Sequence, residues 1–181
     1  MAEPLVVAFV PGVTPGKWER MWRERRPAGR LELVPLPQSA AFAALAEGTA
    51  HMVLARDTAA DDRWHAIPLY RESPVVVAPR GSLVAALDAV DLVDLEGENV
   101  LPADLVNGTG EDAVELVAAN VGVAVLPQAV ARALSRKDVV ARPLRDAPDT
   151  GISLVWPQDA PHPLSEVFIG IVRGRTANSS R

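Results

Sequence analysis

The chain has 181 residues, of which 49% are hydrophobic, and it contains no cysteine. A chain of this length can bury one core or two small ones, whereas the lack of thiols excludes disulfides, thiolate zinc sites and a cysteine nucleophile. The formal net charge of -5 argues against a body that binds nucleic-acid phosphates, which need clustered Lys and Arg. Glu3 and the early Pro11 do not fit an export signal, and no apolar stretch could cross a membrane, so we expect a cytoplasmic protein.

The first half of the chain alternates predicted strands with predicted helices. Three apolar runs are predicted strands: Leu5 to Val10, Leu31 to Leu36 and His51 to Ala55. A helix over about Pro15 to Arg26 follows the first strand, with Thr14 as its predicted N-cap. A second helix begins at its predicted cap Ser39 and ends at Gly48. This order predicts an α/β fold in which helices flank both faces of a parallel sheet.

Two extended runs open the second half of the chain, and Pro79 ends them at a predicted crossing point between two lobes. Short helical pieces, a weak strand candidate and a loop come next. In chain order these segments are Trp64 to Tyr70, Ser73 to Ala78, Ser82 to Leu95, Glu98 to Leu101 and Pro102 to Gly110.

The stretch from Leu116 to Leu144, LVAANVGVAVLPQAVARALSRKDVVARPL, predicts a helix end, a turn, a buried strand, a helix and a further strand. Asn120 and Gly122 are residues that tolerate the left-handed backbone of a helix C-cap. Val123 to Leu126 is an apolar run typical of a strand covered on both faces, and Pro127 suits the first turn of the next helix. Two segments complete the pattern: a strand at Ile152 to Trp156 and a helix at Leu164 to Arg173.

This stretch closely resembles the "valine-alanine-alanine, glycine-x-glycine, leucine-proline" passage of the effector-binding domains of LysR-type transcriptional regulators. Four other passages stand in the family's order: LVVAFVPGVTPGKWERMWRERRPAGRLELVPL, FAALAEGTAHMVLA, IPLYRESPVVVAPRGSL and GISLVWPQDAPHPLSEVFIGIV. The resemblance implies the type II periplasmic-binding-protein fold, with two α/β lobes of parallel sheets and flanking helices. We expect lobe I at residues 1–78 and 150–173, lobe II at 79–149, and a disordered tail at 174–181. Hinges are expected near Val77 to Pro79 and near Leu144 to Ile152.

The sequence departs from the family in two places. Members normally begin with a winged helix-turn-helix and a long linker helix, and neither precedes Leu5. We therefore expect DNA contact only through a region outside this chain. Between Leu101 and Ala113 the chain has only PADLVNGTGEDA, where members usually have a further strand-helix unit. The second lobe is therefore expected to be shortened, and part of the ligand cleft with it.

In this family a small anion or metabolite binds between the lobes, held by loops at the carboxyl ends of strands and by helix N-termini. The resemblance makes six residues in such loops candidate ligand contacts: Thr14, Gln38, Ser39, Arg56, Asn107 and Thr109. Arg56 could pair with a carboxylate bidentately. Simpler explanations stay open: N-capping for Thr14 and Ser39, a solvated position for Arg56, and a plain turn for Asn107 and Thr109.

The first helix carries an apolar stripe at spacings of three and four, formed by Trp18, Met21 and Trp22. In the family this helix lies at the interface between two effector domains that pack antiparallel. A pair of tryptophans flanked by arginines suits an interface anchor with a polar rim. Core packing explains the same stripe, and one residue could point inward while another points outward.

Enzymatic chemistry has little support in the sequence. His51, His65 and His162 fall in unrelated contexts, and no pair has the spacing of a zinc-binding helix. The chain has no G-x-S-x-G elbow, no P-loop and no G-x-G-x-x-G. We therefore expect a protein that is not an enzyme and that needs neither a metal nor a cofactor.

The favoured interpretation is a shortened LysR-type effector-binding domain that senses a small, anionic metabolite and passes that state on through a homodimer or a partner. The alternative is a protein-interaction or DNA-associated scaffold that keeps the fold but has lost the ligand cleft. A Lys/Arg-rich continuation beyond Arg181 would favour the scaffold.

Overall fold

The computed structural model describes residues 3–25 and 27–174. The chain divides into two compact units: the first unit is Met1–Tyr70 with Gly151–Arg181, and the second unit is Arg71–Thr150. The structure thus places the first boundary before the strand at 74–79, earlier than the expected position after residue 78, because that strand pairs inside the second unit. Apart from Gly174, the expected disordered tail lies outside the described residues.

Nine strands and five α-helices lie in the described part of the chain. The strands are β1 (Leu5–Phe9), β2 (Leu31–Pro35), β3 (Met52–Arg56), β4 (Trp64–Glu72), β5 (Pro74–Pro79), β6 (Val100–Leu101), β7 (Val123–Pro127), β8 (Val139–Pro143) and β9 (Thr150–Pro157). The helices are α1 (Gly16–Arg25), α2 (Gln38–Glu47), α3 (Glu111–Ala118), α4 (Gln128–Ala133) and α5 (Ser165–Val172). Each predicted strand and helix therefore has a counterpart. Among these helices, none is both long and apolar enough to span a membrane.

The first unit is built on a five-stranded sheet with the order β2-β1-β3-β9-β4. Strand β1 pairs in parallel with β2 and with β3, whereas β9 returns antiparallel to β3. The sheet is therefore mixed and not wholly parallel as expected, because β9 re-enters the unit after the chain has passed through the second unit. The carboxyl ends of β1, β2 and β3 still share one edge, as the alternating strand-helix order predicts.

Alternating residues of these strands enter two hydrophobic cores, one on each face of the sheet. On one face Leu5, Val7 and Met52 pack with residues of α1 and α5, whose Trp22 and Phe168 rings have centroids 6.2 Å apart. On the other face a smaller cluster surrounds α2: Ala8, Ala41, Leu45, Val53, Ala55 and Val155. The first unit thus has helices packed on both faces of its sheet. A binding site in this unit would therefore lie at an edge of the sheet.

The second unit has a four-stranded sheet with the order β6-β7-β5-β8. Strand β5 is antiparallel to both β7 and β8, and only β6 and β7 are parallel. The expectation of a parallel sheet was wrong here, because an apolar run shows that a strand is buried but not in which direction its neighbour runs. One face of the sheet packs on α3 and α4 through residues such as Val114, Val117 and Val130.

Two local expectations need correction. Helix α2 begins one residue before Ser39, its N-cap is Pro37, and no side chain caps it. Asn120 has the expected left-handed φ of 59°, but Gly122 is required for a different reason: a Cβ there would lie 2.0 Å from the carbonyl oxygen of Asn99. The glycine therefore permits a close approach of two chain segments and does not itself supply a left-handed turn.

Candidate functional site

The carboxyl edge of the first unit's sheet brings three chain segments together around Arg56. The backbone N–H of Arg56, the last residue of β3, donates to Oε1 of Gln38 at 2.8 Å. Its Nη2 donates to the carbonyl oxygen of Pro11, in the loop after β1, at 3.1 Å. Because Gln38 opens α2 after β2, Arg56 connects the ends of β1, β2 and β3.

Arg56 is buried, with 6% of its surface exposed, so it is not the solvated surface arginine that the sequence left open. A guanidinium stays charged at any physiological pH, and burying it is costly unless its N–H groups are well placed. The Arg56 carbonyl in turn accepts from Oγ1 of Thr58 at 3.0 Å. The surrounding backbone therefore fixes Arg56 in one position at the edge, as a group that recognises an anion must be fixed.

Thr14, in the loop after β1, and Ser39, in the first turn of α2, border this edge, and both are exposed. Ser39 stands in the first turn of α2, where the first N–H groups of a helix have no intrahelical partner. Thr14 stands just before α1, whose first turn begins with Trp18 and Glu19 donating to the carbonyl of Pro15. Two hydroxyls, the N-termini of α1 and α2 and the buried guanidinium of Arg56 thus follow or end three neighbouring strands of the sheet, at the edge that their carboxyl ends share.

Asp57 belongs to this edge and was not among the predicted site residues. It has a positive φ of 46°, a backbone conformation that Asp tolerates better than most residues. Its N–H donates to the carbonyl of Gly151 at 2.8 Å, and its Oδ1 accepts from the Gly151 N–H at 2.6 Å. Asp57 thereby fixes the turn after β3. An aspartate directly after a buried strand was the available sequence signal.

Asn107 and Thr109 lie in the second unit, in a turn organised by Asp104. Oδ1 of Asp104 accepts from the backbone N–H of Val106 at 2.9 Å and of Asn107 at 2.8 Å. These hydrogen bonds to the ionised form lower the pKa of the Asp104 carboxyl. Oγ1 of Thr109 accepts from the N–H of Glu111, the first residue of α3, at 3.4 Å. The contacts favour the plain-turn explanation, and a ligand role for these two residues stays a prediction.

The stripe on α1 is mostly core. Trp18 and Trp22 are 4% and 3% exposed and pack in the first unit's larger core, while Met21 is only partly buried. Nε1 of Trp22 donates to the carbonyl of Gly29 at 3.2 Å. These positions favour core packing for both tryptophans, so any contact with a second copy would use the outer part of the helix, including Met21.

Two histidines of the first unit stack on each other. The ring centroids of His51 and His162 are 4.4 Å apart. Nδ1 of His51 accepts from the N–H of Val6 at 3.0 Å, and Nδ1 of His162 accepts from the N–H of Leu164 at 3.2 Å. Burial, followed by the charge of His162, lowers the pKa of His51. Over residues 3–25 and 27–174, no cluster of three or more His, Cys, Asp or Glu side chains could hold a metal ion.

Comparison with known proteins identifies the class of this domain. The model of the LysR substrate binding domain matches residues 16–104 and 102–177, and the chain therefore belongs to that family. The two matched ranges meet at residues 102–104, in the loop after β6 where a shortened second lobe was expected. No curated protein matches the chain.

Solved structures share the fold at low identity. A mutant of the OxyR regulatory domain from Pseudomonas aeruginosa is 18% identical with a TM-score of 0.75, covering 98% of this chain and 100% of that chain. The BenM effector binding domain with its effector benzoate is 18% identical with a TM-score of 0.74, covering 96% of this chain and 94% of that chain. Full-length BenM is 17% identical with a TM-score of 0.75, covering 95% of this chain and 67% of that chain. The chain is thus similar to two-lobed effector-binding domains of transcriptional regulators.

Proposed function

We propose that this domain senses a small, anionic metabolite in the cytoplasm and that the sheet edge formed by Thr14, Gln38, Ser39 and Arg56 binds it. The observation that carries the proposal is the buried Arg56, whose guanidinium and backbone connect the loops after β1 and β2. The structurally similar BenM domain has benzoate, a carboxylate, as its effector. Arginine is the side chain best suited to bind a planar carboxylate, because its planar guanidinium can donate two parallel hydrogen bonds to the two oxygens.

The rest of the edge suits the same ligand chemistry. The N-terminus of α2 carries partial positive charge and N–H groups that can donate to an anion. The exposed hydroxyls of Thr14 and Ser39 can donate further hydrogen bonds to it. A carboxylate at this edge would therefore meet donors from two loops and one buried cation.

The domain acts by binding and not by catalysis in this proposal. Ligand binding would shift the population of domain conformations, and a DNA-binding region outside this chain would receive the signal. The family match supports this assignment, because the matched model is a substrate binding domain.

A thermal-shift screen tests the function directly. We expect at least one small carboxylate, at millimolar concentration, to raise the melting temperature of the chain, because a ligand that binds only the folded state stabilises it. The matched neutral amides should have little effect, since they lack the charge that Arg56 recognises. If no member of a broad carboxylate panel stabilises the domain, the proposed function is contradicted.

We further propose that the domain forms a homodimer in which α1 of one protomer contacts α3 of its partner. The exposed side chains of α1 carry a net positive charge, because Lys17, Arg20 and Arg23 outnumber Glu24. The exposed charged side chains of α3 are all acidic: Glu111, Asp112 and Glu115. Complementary charge supports such a pairing and steers its association. Sedimentation at rising salt checks it, because screening should shift the equilibrium toward the monomer; association that is insensitive to salt would contradict this pairing.

A further inference from the structure

The second face of the second unit's sheet is covered by an irregular segment, residues 82–99, and not by an α-helix. This segment contains two short 3-10 turns, Val84–Ala86 and Leu92–Leu95. Val84, Val90 and Leu95 point inward from it and pack on the sheet. Because residues 82–99 form only a thin layer over the sheet, the outer surface of this segment lies close to the sheet.

That outer surface is apolar. Four large aliphatic side chains on the segment are exposed: Leu83 at 86%, Val93 at 62%, Leu92 at 50% and Leu87 at 37%. Single exposed aliphatic residues are common, but several on one short segment indicate an interaction surface.

Hydrogen bonds hold this segment in a defined shape. Asp91 and Asp94 form a capping box around the second 3-10 turn. Arg145 pairs with the Asp91 carboxylate, and Arg142 donates from Nη2 to the carbonyl of Ala85 at 2.8 Å. The aliphatic side chains are thus displayed on a fixed backbone, which reduces the entropy that a partner must overcome on binding.

Exposed acidic residues alternate with these aliphatic side chains along the segment. From Gly81 to Ala131 the sequence contains no Lys or Arg. Over the described residues, Asp88, Glu96 and Glu98 have no ion-pair partner, and all three are exposed. A partner that covers the apolar side chains would therefore meet carboxylates around them, which selects for Lys or Arg on its rim.

We propose that this surface docks a cationic amphipathic helix of a partner protein. We name it the acidic docking surface and define it by Leu83, Leu87, Asp88, Leu92, Val93, Glu96 and Glu98. An amphipathic helix presents aliphatic side chains along one stripe with Lys or Arg beside them, which matches an apolar surface with an acidic border. The docking surface shares no residue with the Arg56 edge and does not depend on the effector proposal.

A second copy of this chain is a poorer occupant. Its basic helix is α1, but Trp18 and Trp22 are already buried in their own core and cannot insert into a partner. Two acidic docking surfaces facing each other would repel. The complementary helix must therefore belong to another protein.

The experiment uses the full chain and a synthetic helical peptide of 18 residues containing only Leu and Lys, with Leu at helical spacing. We expect isothermal titration to show binding of this peptide and NMR to place the amide shift changes at residues 82–99. The double variant Leu83→Ser with Val93→Ser should weaken binding by at least about tenfold, since both side chains are exposed and the fold does not need them. Val106→Ser, which removes an exposed valine that lies outside the docking surface and outside α1 and α3, is the matched control and should bind as the wild type.

A second double variant, Glu96→Gln with Glu98→Gln, keeps the apolar surface and removes two of its charges. It should also weaken binding and reduce its dependence on salt, which keeps the proposal testable if the serine variant fails to fold. The proposal is overturned if the peptide does not bind, if a scrambled peptide of the same composition binds equally well, or if neither double variant changes the affinity. Self-association of the wild type that the serine variant abolishes would also overturn it, because the occupant would then be a second copy.

Discussion

Arg56 is the residue on which the proposed effector site depends most directly. Replacing it by lysine keeps the positive charge but removes the planar fork that binds both oxygens of a carboxylate. For the carboxylate that stabilises the domain best, we expect Arg56→Lys to raise Kd at least about tenfold in isothermal titration. Arg63→Lys is the control, since Arg63 is exposed, and it should leave Kd unchanged. Equal affinities of the wild type and Arg56→Lys for the carboxylate would show that Arg56 does not bind it.

We expect His51 to make the stability of the domain depend on pH. Nδ1 of His51 accepts the backbone N–H of Val6, so the folded state needs the His51 ring without a proton on Nδ1. The pKa of His51 is lowered from 6.5 by burial first and by His162 second, while Glu3 raises it. A base with a lowered pKa is protonated first in the unfolded chain. The free energy of unfolding should therefore be highest above pH 6.5 and fall as the pH drops below that value.

Denaturant unfolding between pH 8 and pH 5 measures this effect. We expect His51→Gln, whose amide oxygen can still accept from Val6, to lose part of the pH dependence that the wild type shows in this range. His65→Gln changes an exposed histidine that stacks on Trp156 and should retain it. Identical pH profiles for the wild type and His51→Gln would show that His51 does not contribute to the pH dependence of stability.

The position of the proposed site residues at one edge of the sheet was predictable, but the hydrogen bonds that connect them were not. Thr14, Gln38, Ser39 and Arg56 follow predicted strands, and parallel strands bring their carboxyl ends to one edge. The hydrogen bond from the Arg56 backbone to Gln38 crosses 18 residues, and such a contact leaves no periodic signal in a sequence. For the same reason the burial of Arg56 could not be distinguished from a solvated position.

At the scale of single elements, Gly122 controls how β6 and β7 meet. A Cβ at this position would contact the Asn99 carbonyl oxygen at 2.0 Å, and backbone cannot move as easily as a side-chain end. We expect Gly122→Ala to lower the free energy of unfolding by about 1–3 kcal/mol, the usual effect of overpacking. Gly81→Ala is the control, because nothing lies within 4 Å of the Cβ that this substitution adds. Equal unfolding midpoints for the two variants would contradict the close approach.

Substitutions at two positions of helix α1 distinguish core packing from dimer contact. Trp22→Ala should lower the free energy of unfolding by about 3–5 kcal/mol, since it empties a core position beside Phe168. Met21→Ala should cost much less stability, because Met21 is only partly buried, yet it should weaken the proposed dimer in sedimentation. A Met21→Ala protein that dimerises like the wild type would assign the whole stripe to the core.

Elements were easier to predict than their pairing. Apolar runs of four to six residues, such as Val123 to Leu126, located the strands because burial on both faces requires them. The antiparallel direction of β5 against β7 and β8 depends on how the chain crosses between units, which no single run encodes. The same limit explains why the lobe boundary was expected after β5 and lies before it.

At the scale of the whole molecule, the two units carry different chemistry. The first unit holds the buried Arg56, the stacked histidines and the basic face of α1. The second unit contains the long stretch without Lys or Arg and, over the described residues, all of the large exposed aliphatic side chains. A LysR effector-binding domain with this distribution would bind its effector at one unit and offer a protein partner the other.

An NMR titration of the full chain with the most stabilising carboxylate shows where the ligand binds. We expect amide shift changes to concentrate at residues 11–14, 38–39 and 56–58, which form the edge around Arg56, and Arg56→Lys to remove them. Saturable shift changes confined to other parts of the chain, with the Arg56 edge unaffected, would contradict this expectation.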